Sequence, residues 1–318
     1  MASSDWKVFE FGETAEIDNA ARRIISHEAF LPDNQTVHNI QQFLIKRWRA
    51  ESKTRLYTYG RHADDDMKVV VITEDSPHQN PLIFIRSPPG GHQREWLEKV
   101  LTLVIRNLEA SLIKWGTFLL DASADDTQMF AAVLESMGVL LDKSLDVMMF
   151  HMNSLQLEQL SAIALQLPAG YSFSEIDVEK EAQEVYERWT MKAATTVAAT
   201  RDRIMNLPSI GIRDENGKLV AWEIMNTCFG KFNHLFTLPE HRGKGLGMAA
   251  ELRLAQICAE KGLRVFKDVA VANQQVIKGT LNHPLWSVWS RDGAPIKWAV
   301  SYFSINTAVL FDYLQQEI

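Results

Sequence analysis

Apolar residues recur with two periods along the chain, and the alternation between them predicts most of its elements. Ile40, Phe43, Leu44 and Trp48 keep helical spacing, which predicts a helix over Val37–Ala50. Three β-rich runs follow, Arg55–Tyr59, Lys68–Thr73 and Pro81–Arg86, separated by polar turns at Gly60–Asp66 and Ser76–Asn80. Ser87-Pro88-Pro89-Gly90-Gly91 breaks the chain. Trp96, Val100, Leu103, Val104 and Leu108 then form one stripe of a long helix over Gln93–Ile113. Thr117–Asp121 reads as a short buried strand. Asp125–Met137 reads as a helix capped by Ser123 or Asp125 and stopped by Gly138, and Leu145–Met152 as a further strand. The order is β-β-β-α-β-α-β.

The same order recurs in the second half. Helices are expected over Glu179–Ala194 and Thr200–Asn206, then strands over Ser209–Arg213 and Lys218–Asn226. The Asn216-Gly217 pair between those strands is a hairpin signal, because both residues tolerate positive φ. Phe232–Leu238 is a strand, Leu246–Lys261 a helix, Arg264–Val271 a strand, Gln274–Leu281 a helix and Trp298–Ser304 a closing strand. Leu155–Gly170, a short helix ending in Pro-Ala-Gly, reads as the boundary. The expected division is therefore 1–154, a linker at 155–170, and 171–318. No repeat is visible residue by residue, so the shared order points to a duplicated α/β domain.

Composition narrows the class. Of 318 residues 46% are hydrophobic and 23% charged, which fits a globular protein and neither a coiled coil nor wholesale disorder. Thirty-three basic against 40 acidic residues give a net charge of −7, so no broad basic surface is expected for nucleic acid. A local basic pocket for a small anion remains compatible with that balance. Two cysteines, Cys228 and Cys258, cannot build a disulfide framework, and no Cys/His spacing suits zinc, so no metal is expected. No apolar run approaches the ~20 residues of a membrane span. The start carries Asp5, Glu10, Glu13, Glu16 and Asp18, unlike a secretory signal or a basic mitochondrial presequence. An intracellular location is expected, cytoplasmic or mitochondrial; the sequon at Asn34-Gln35-Thr36 is read as chance.

The chemistry concentrates at Leu235-Phe-Thr-Leu-Pro-Glu-His-Arg242-Gly-Lys-Gly-Leu-Gly247. A β-rich run enters a loop with Gly243, Gly245 and Gly247 at alternate positions, and a helix leaves it with Met248, Leu252, Ala255 and Ala259 on one face. The first N–H groups of a helix lack intrahelical acceptors and lie at the positive end of its dipole. Glycines there let an anion approach the backbone, so the loop is suited to a diphosphate, with Arg242 and Lys244 adding charge. The spacing excludes a Walker loop and a Gly-x-Gly-x-x-Gly dinucleotide fingerprint.

Arg-x-x-Gly-x-Gly between strand and helix resembles the acyl-CoA loop of the GNAT superfamily of N-acetyltransferases. Further strings are similar to the glycine N-acyltransferase family: Tyr171-Ser-Phe-Ser-Glu-Ile-Asp177, Arg188-Trp189, Asp214-Glu-Asn-Gly-Lys-Leu-Val-Ala-Trp222-Glu-Ile-Met225, Thr237-Leu-Pro-Glu-His-Arg242, and Leu281-Asn-His283 with Trp286 and Trp289 behind. This resemblance covers roughly Ala169–Ser290; the first half matches only in length and expected architecture. It implies an α/β fold with a mixed sheet, built as tandem GNAT-like domains of which the N-terminal one is degenerate. It also implies acyl-CoA as co-substrate and acyl transfer to the amine of glycine or another small amino acid in a ternary complex.

Under that resemblance the amides of Arg242, Gly243, Lys244, Gly245, Leu246 and Gly247 hold the diphosphate. Phe236 and Leu238 offer backbone groups to the pantetheine arm or the thioester carbonyl. Asn273 either meets the pantetheine or simply caps the helix after it. The family's basic glutamate aligns near Lys231, a departure from the pattern, and Lys231 is instead a candidate for an acceptor carboxylate. His234 is the substitute general base, since its ordinary pKa suits the task, or merely a packed strand residue. Glu223 on the neighbouring strand is the second choice. His283 lines the substrate pocket or only satisfies a loop. Cys228 and Cys258 are read as small core residues. Two alternatives stay open: a non-catalytic acyl-CoA-binding protein, and an acetyltransferase for a peptide or polyamine amine. Oligomeric state is not specified by the sequence.

Overall fold

The computed structural model describes residues 7–26, 34–45, 52–60, 69–86, 94–226 and 230–316. Expected features at residues 46–50, most of the turn at 61–66, the break at 87–91, Asp5 and Cys228 lie outside them. The first elements are β1 (Lys7–Phe11), α1 (Thr14–Ser26), α2 (Asn34–Ile45), β2 (Lys53–Gly60), β3 (Val69–Asp75), β4 (Leu82–Arg86), α3 (Arg94–Trp115), β5 (Thr117–Ser123), α4 (Ala124–Glu135) and β6 (Val139–His151). Then come α5 (Ser154–Ser161), β7 (Ser172–Ser174), α6 (Val178–Glu187), α7 (Val197–Asn206), β8 (Ser209–Arg213), β9 (Leu219–Asn226), β10 (Lys231–Thr237), α8 (Leu246–Glu260), β11 (Phe266–Ala270) and α9 (Gln274–Leu281). The chain closes with β12 (Ser287–Val288), β13 (Ser290–Arg291), β14 (Ala294–Pro295), β15 (Trp298–Ile305) and α10 (Thr307–Gln316).

The elements expected from periodicity form, mostly within a few residues of their expected bounds. Ser123 caps α4, its Oγ accepting from Asp126 N at 3.1 Å. Gly138 beyond the helix has φ +78°, and a Cβ there would strike the Val309 side chain at 2.7 Å. The helix expected over Glu179–Ala194 ends instead at Glu187, and a 3₁₀ turn occupies Lys192–Ala194. The pattern reading missed β1, α1, β7, α10 and the two-residue strands; the strands are too short to show a period, whereas α1 carries one, with Ile17, Ala20, Ala21 and Ile24 buried at helical spacing.

The chain forms two compact units. In the first, the strand order is β1-β2-β3-β4-β5-β15-β6, antiparallel throughout except for the parallel pair β4/β5. The apolar stripe of α3 (Leu97, Val100, Leu101, Val104, Ile105, Leu108, Leu112) is buried in this unit's core, where Phe118 stacks on Phe303 at 5.0 Å. The second unit repeats the scheme. Its order is β7-β8-β9-β10-β11, followed by the end of β6. Again three antiparallel contacts precede one parallel contact, here β10/β11. Period-two alternation along β9 sends Trp222 and Ile224 into a core with Ile176, Ala182, Val185 and Ile204 of the α6/α7 side. The intervening Glu223 and Met225 meet α8; the Cys258 thiol lies 3.5 Å from Met225 Sδ.

The units do not divide the chain as the linear reading expects. Ser290–Ile318 belongs to the first unit and His38–Arg49 to the second. β15 lies between β5 and β6, pairing Trp298 with both Ser123 and Val147. In the second unit the buried Asn39 donates to Gly230 O and Arg264 O (3.3 and 2.9 Å) and accepts from Arg264 N at 2.7 Å. Sequence distance hides both exchanges, because nothing in a strand's own pattern names its neighbours. A fragment 1–154 therefore lacks a central strand and leaves two buried edges unpaired. It is expected to show no cooperative thermal transition by circular dichroism, and adding 290–318 to the same fragment is expected to restore one.

Candidate functional site

β10 leads through a 3₁₀ turn at Pro239–His241 into the glycine loop. Gly243 and Gly245 both adopt left-handed backbone, φ +76° and +79°, and a Cβ on either would meet nothing within 4 Å. Their glycine requirement is thus conformational, and the space over them is open. Gly247 differs: it lies in the helix, where a Cβ would sit 3.5 Å from Thr237 Oγ1. Gly245 is the N-cap of α8 and brings no side chain to cap it. The first bond of the helix runs from Ala249 N to Gly245 O, so the amides of Leu246, Gly247 and Met248 have no acceptor within the helix.

The two cations of the loop are held elsewhere than expected. Arg242 folds back on the strand: its Nε donates to Thr237 O at 3.0 Å, and its guanidinium lies 5.6 Å from the Phe236 ring centroid. Lys244 Nζ donates to Tyr171 Oη at 2.6 Å.

β10 itself is irregular. Between Asn233 and Phe236 it spends three steps where β9 spends two, from Ile224 to Trp222. This bulge places one extra residue. His234 takes a left-handed φ of +59°, steadied by Asn233 Oδ1, which accepts the His234 amide at 2.7 Å. Before the bulge β10 pairs with β11 at Phe232↔Lys267; among the described residues no pair follows it. Beyond the bulge β10 therefore stays with β9 and presents an unpaired edge on its β11 side. Leu238 N donates to Val220 O at 2.9 Å, and Phe236 stands opposite Trp222. Backbone groups alternate sides along an antiparallel ladder, so Phe236 and Leu238 both turn theirs to β9. The expectation that these two serve a pantetheine arm is corrected by one residue: the amide facing the open side is that of Thr237.

His234 is buried between Trp189, stacked at 5.8 Å, and Trp222, edge-on at 6.0 Å. Burial, then the nearby Arg203 guanidinium, lowers its pKa from 6.5 to about 3. The imidazole stays neutral at ordinary pH but has little affinity for a proton, which corrects the expectation of a base tuned near neutrality. Arg203 lies 4.8 Å from the Trp189 ring centroid and donates to Thr195 Oγ1 at 3.3 Å. Glu223 is enclosed on the α8 side with Glu251 and Lys267, which pair at 2.5 Å. Burial and the Glu251 charge push the Glu223 carboxyl well up despite Lys267. It is an interior group enclosed on the α8 side, not one at the β10 edge.

Lys231 is buried and bonded to Asp268 at 2.5 Å, so its charge is compensated within the protein rather than offered to a substrate carboxylate. His283 accepts from Leu285 N at 3.3 Å and is lowered in pKa by burial. Asn273 caps α9, accepting from Val276 N at 3.4 Å. Trp286 and Trp289 are buried in the second unit, Trp286 edge-on to Phe232 at 6.3 Å. Sequence reasoning missed the bulge, the Glu223–Glu251–Lys267 cluster and the Tyr171–Lys244 bond. Only the single letters Tyr171 and Lys244 hinted at the last.

In the first unit the equivalent place is filled. β4 and β5 pair at three positions, Leu82↔Leu119 to Phe84↔Asp121. Arg86, buried at the end of β4, lies 4.0 Å from Asp121 Oδ1 and over the Trp298 ring at 4.0 Å to its centroid. Trp298 Nε1 also donates to Asp121 at 2.5 Å.

Residues 209–278 match the family model described as FR47-like protein. No curated protein matches the chain. Among solved structures, a Drosophila protein is similar at TM-score 0.71 and 15% identity, covering 94% of this chain and 99% of that one. A tandem GNAT protein from the clavulanic acid biosynthesis pathway is similar at TM-score 0.52 and 15% identity, over 94% and 98% of the two chains. A GCN5-related N-acetyltransferase from Sphaerobacter thermophilus is similar at 0.50 and 11%, over 95% and 96%. The fold is thus a mixed α/β fold of the tandem GNAT type.

The lowered His234 pKa makes a stability prediction. Below pH 6.5 the unfolded imidazole binds a proton that the folded one refuses until about pH 3, so acid favours unfolding through that window. Between pH 7 and pH 5 the wild type is expected to lose about 2 kcal/mol more than His234→Asn, a residue that tolerates the left-handed backbone. Urea unfolding of both proteins at the two pH values checks this; equal losses would contradict it.

Proposed function

We propose that the chain is an acyl-CoA N-acyltransferase that moves the acyl group to the amine of glycine or another small amino acid by direct attack. The observation that carries the reading is the uncapped start of α8, behind two left-handed glycines and at the end of a strand unpaired on one side. The amides of Leu246, Gly247 and Met248 suit the diphosphate of coenzyme A. The unpaired edge at Thr237 suits the amide-bearing pantetheine arm, as a strand-like partner. The family match and the tandem GNAT fold support the same assignment. In the reaction the amine nitrogen attacks the thioester carbonyl, the tetrahedral oxyanion collapses, and the thiolate of CoA leaves with the proton balance made up by water. No tuned base takes the amine proton: His234 is neutral but weakly basic, and Glu223, its carboxyl pushed up by burial, is enclosed on the α8 side.

A second reading, acyl-CoA binding without turnover, is favoured by that same weak basicity and by the closed Lys231–Asp268 pair. Thiol release from acetyl-, benzoyl- and longer acyl-CoA against a panel of small amino acids separates the two. Release with at least one pair is expected. CoA binding with no release anywhere would favour the second reading, and absence of CoA binding would overturn both. With an active pair, kcat/KM is expected to rise with pH as the acceptor amine deprotonates, with no inflection near 6.5. Gly245→Val, which forces a β-branched residue into left-handed backbone, is expected to weaken CoA about tenfold by calorimetry.

A further inference from the structure

The loop holds a cation that the diphosphate reading does not use. Lys244 stands between the two left-handed glycines, and its exposed side chain is tied to Tyr171 rather than to the helix start. An ammonium can only donate, so the Tyr171 oxygen accepts from it, and the same hydroxyl is hydrogen-bonded to Nδ1 of His241, 2.9 Å away. The His241 ring backs Tyr171 edge-on at 5.8 Å, and the ammonium lies 5.2 Å from the Tyr171 ring centroid. The partner of Lys244 is thus a neutral hydroxyl over an aromatic ring: the charge is positioned but not cancelled. Other cations of the second unit contrast with it: Lys231 and Lys267 pair with Asp268 and Glu251, and exposed Lys218 faces Glu240 at 3.5 Å.

Direction supplies the ligand. In coenzyme A the diphosphate joins two arms, pantetheine on one side and a 3′-phosphorylated adenosine on the other. The unpaired edge for the first arm lies on the β11 side of β10. Tyr171 precedes β7, the opposite edge of the order β7-β8-β9-β10-β11. An arm that enters at β11 sends the nucleotide the other way, toward Tyr171 and Lys244. We infer that Lys244, positioned by Tyr171, recognises the 3′-phosphate of coenzyme A and so selects it over its dephosphorylated form. This rests on the acyl-CoA reading above and names the residues that determine its nucleotide specificity.

Calorimetry with coenzyme A and 3′-dephospho-coenzyme A, on the wild type and two variants, tests it. The wild type is expected to bind coenzyme A about tenfold more tightly than the dephospho form, the scale of one charge-assisted phosphate contact. Lys244→Met is expected to bind both ligands equally, near the wild-type affinity for the dephospho form. Tyr171→Phe keeps the ammonium but frees it, and is expected to lose part of the discrimination. Matching melting temperatures, expected for such surface changes, confirm that the variants fold. Wild-type affinities that do not differ would overturn this inference alone. Lys244→Met weakening both ligands equally would overturn it too, by assigning the ammonium to the diphosphate. A wild type that binds neither ligand would instead remove the acyl-CoA reading on which it rests.

Discussion

The extra residue between Asn233 and Phe236 is the constraint on which the candidate site depends. A parallel pair of regular strands would continue its ladder from Phe232↔Lys267 and consume the backbone groups of Thr237. The bulge stops that ladder while leaving β10 bonded to β9, so Thr237 has no strand partner on its β11 side and only its carbonyl is taken, by Arg242. It does so at a cost, a non-glycine residue in left-handed backbone, offset locally by the Asn233 side chain and by the aromatic packing around His234. The two glycines of the loop add a second backbone constraint immediately downstream, and together these leave the α8 amides and the strand edge open on one ligand-sized stretch of chain.

The first unit shows the same topology without that consequence. Its parallel pair β4/β5 holds three registered positions where β10/β11 holds one. Arg86, Asp121 and Trp298 occupy the ground beside it with a buried, hydrogen-bonded cluster. The strand order of the second unit is repeated there, and these three side chains occupy the ground beside its parallel pair.

Buried charge explains why several plausible catalytic residues are poor ones. An interior carboxyl keeps its proton and an interior imidazole stays neutral, because water is not there to solvate the ion. Glu223 and His234 follow those two directions from opposite faces of β9 and β10. Lys267–Glu251 and Lys231–Asp268 are closed pairs, of the kind whose disruption leaves an uncompensated charge behind. Residue type alone cannot separate such groups from working acids and bases.

The sequence by itself determined the elements of the regular regions and the position of the glycine loop, and it narrowed the α4 cap to Ser123 or Asp125. These depend on spacing within a few residues, and spacing is what a sequence records. It also carried the requirement for glycine at 243 and 245, though as a matter of backbone hand rather than of clearance. Tertiary structure alone decided that β15 closes the first unit and that Asn39 serves the second, since strand neighbours are chosen by packing across the whole chain. It decided which of Phe236, Thr237 and Leu238 faces the opening, because one inserted residue reverses the side to which every later backbone group points. And it decided the directions in which His234 and Glu223 are shifted and the partner Lys231 takes, which are set by the depth and company of a side chain and not by its name.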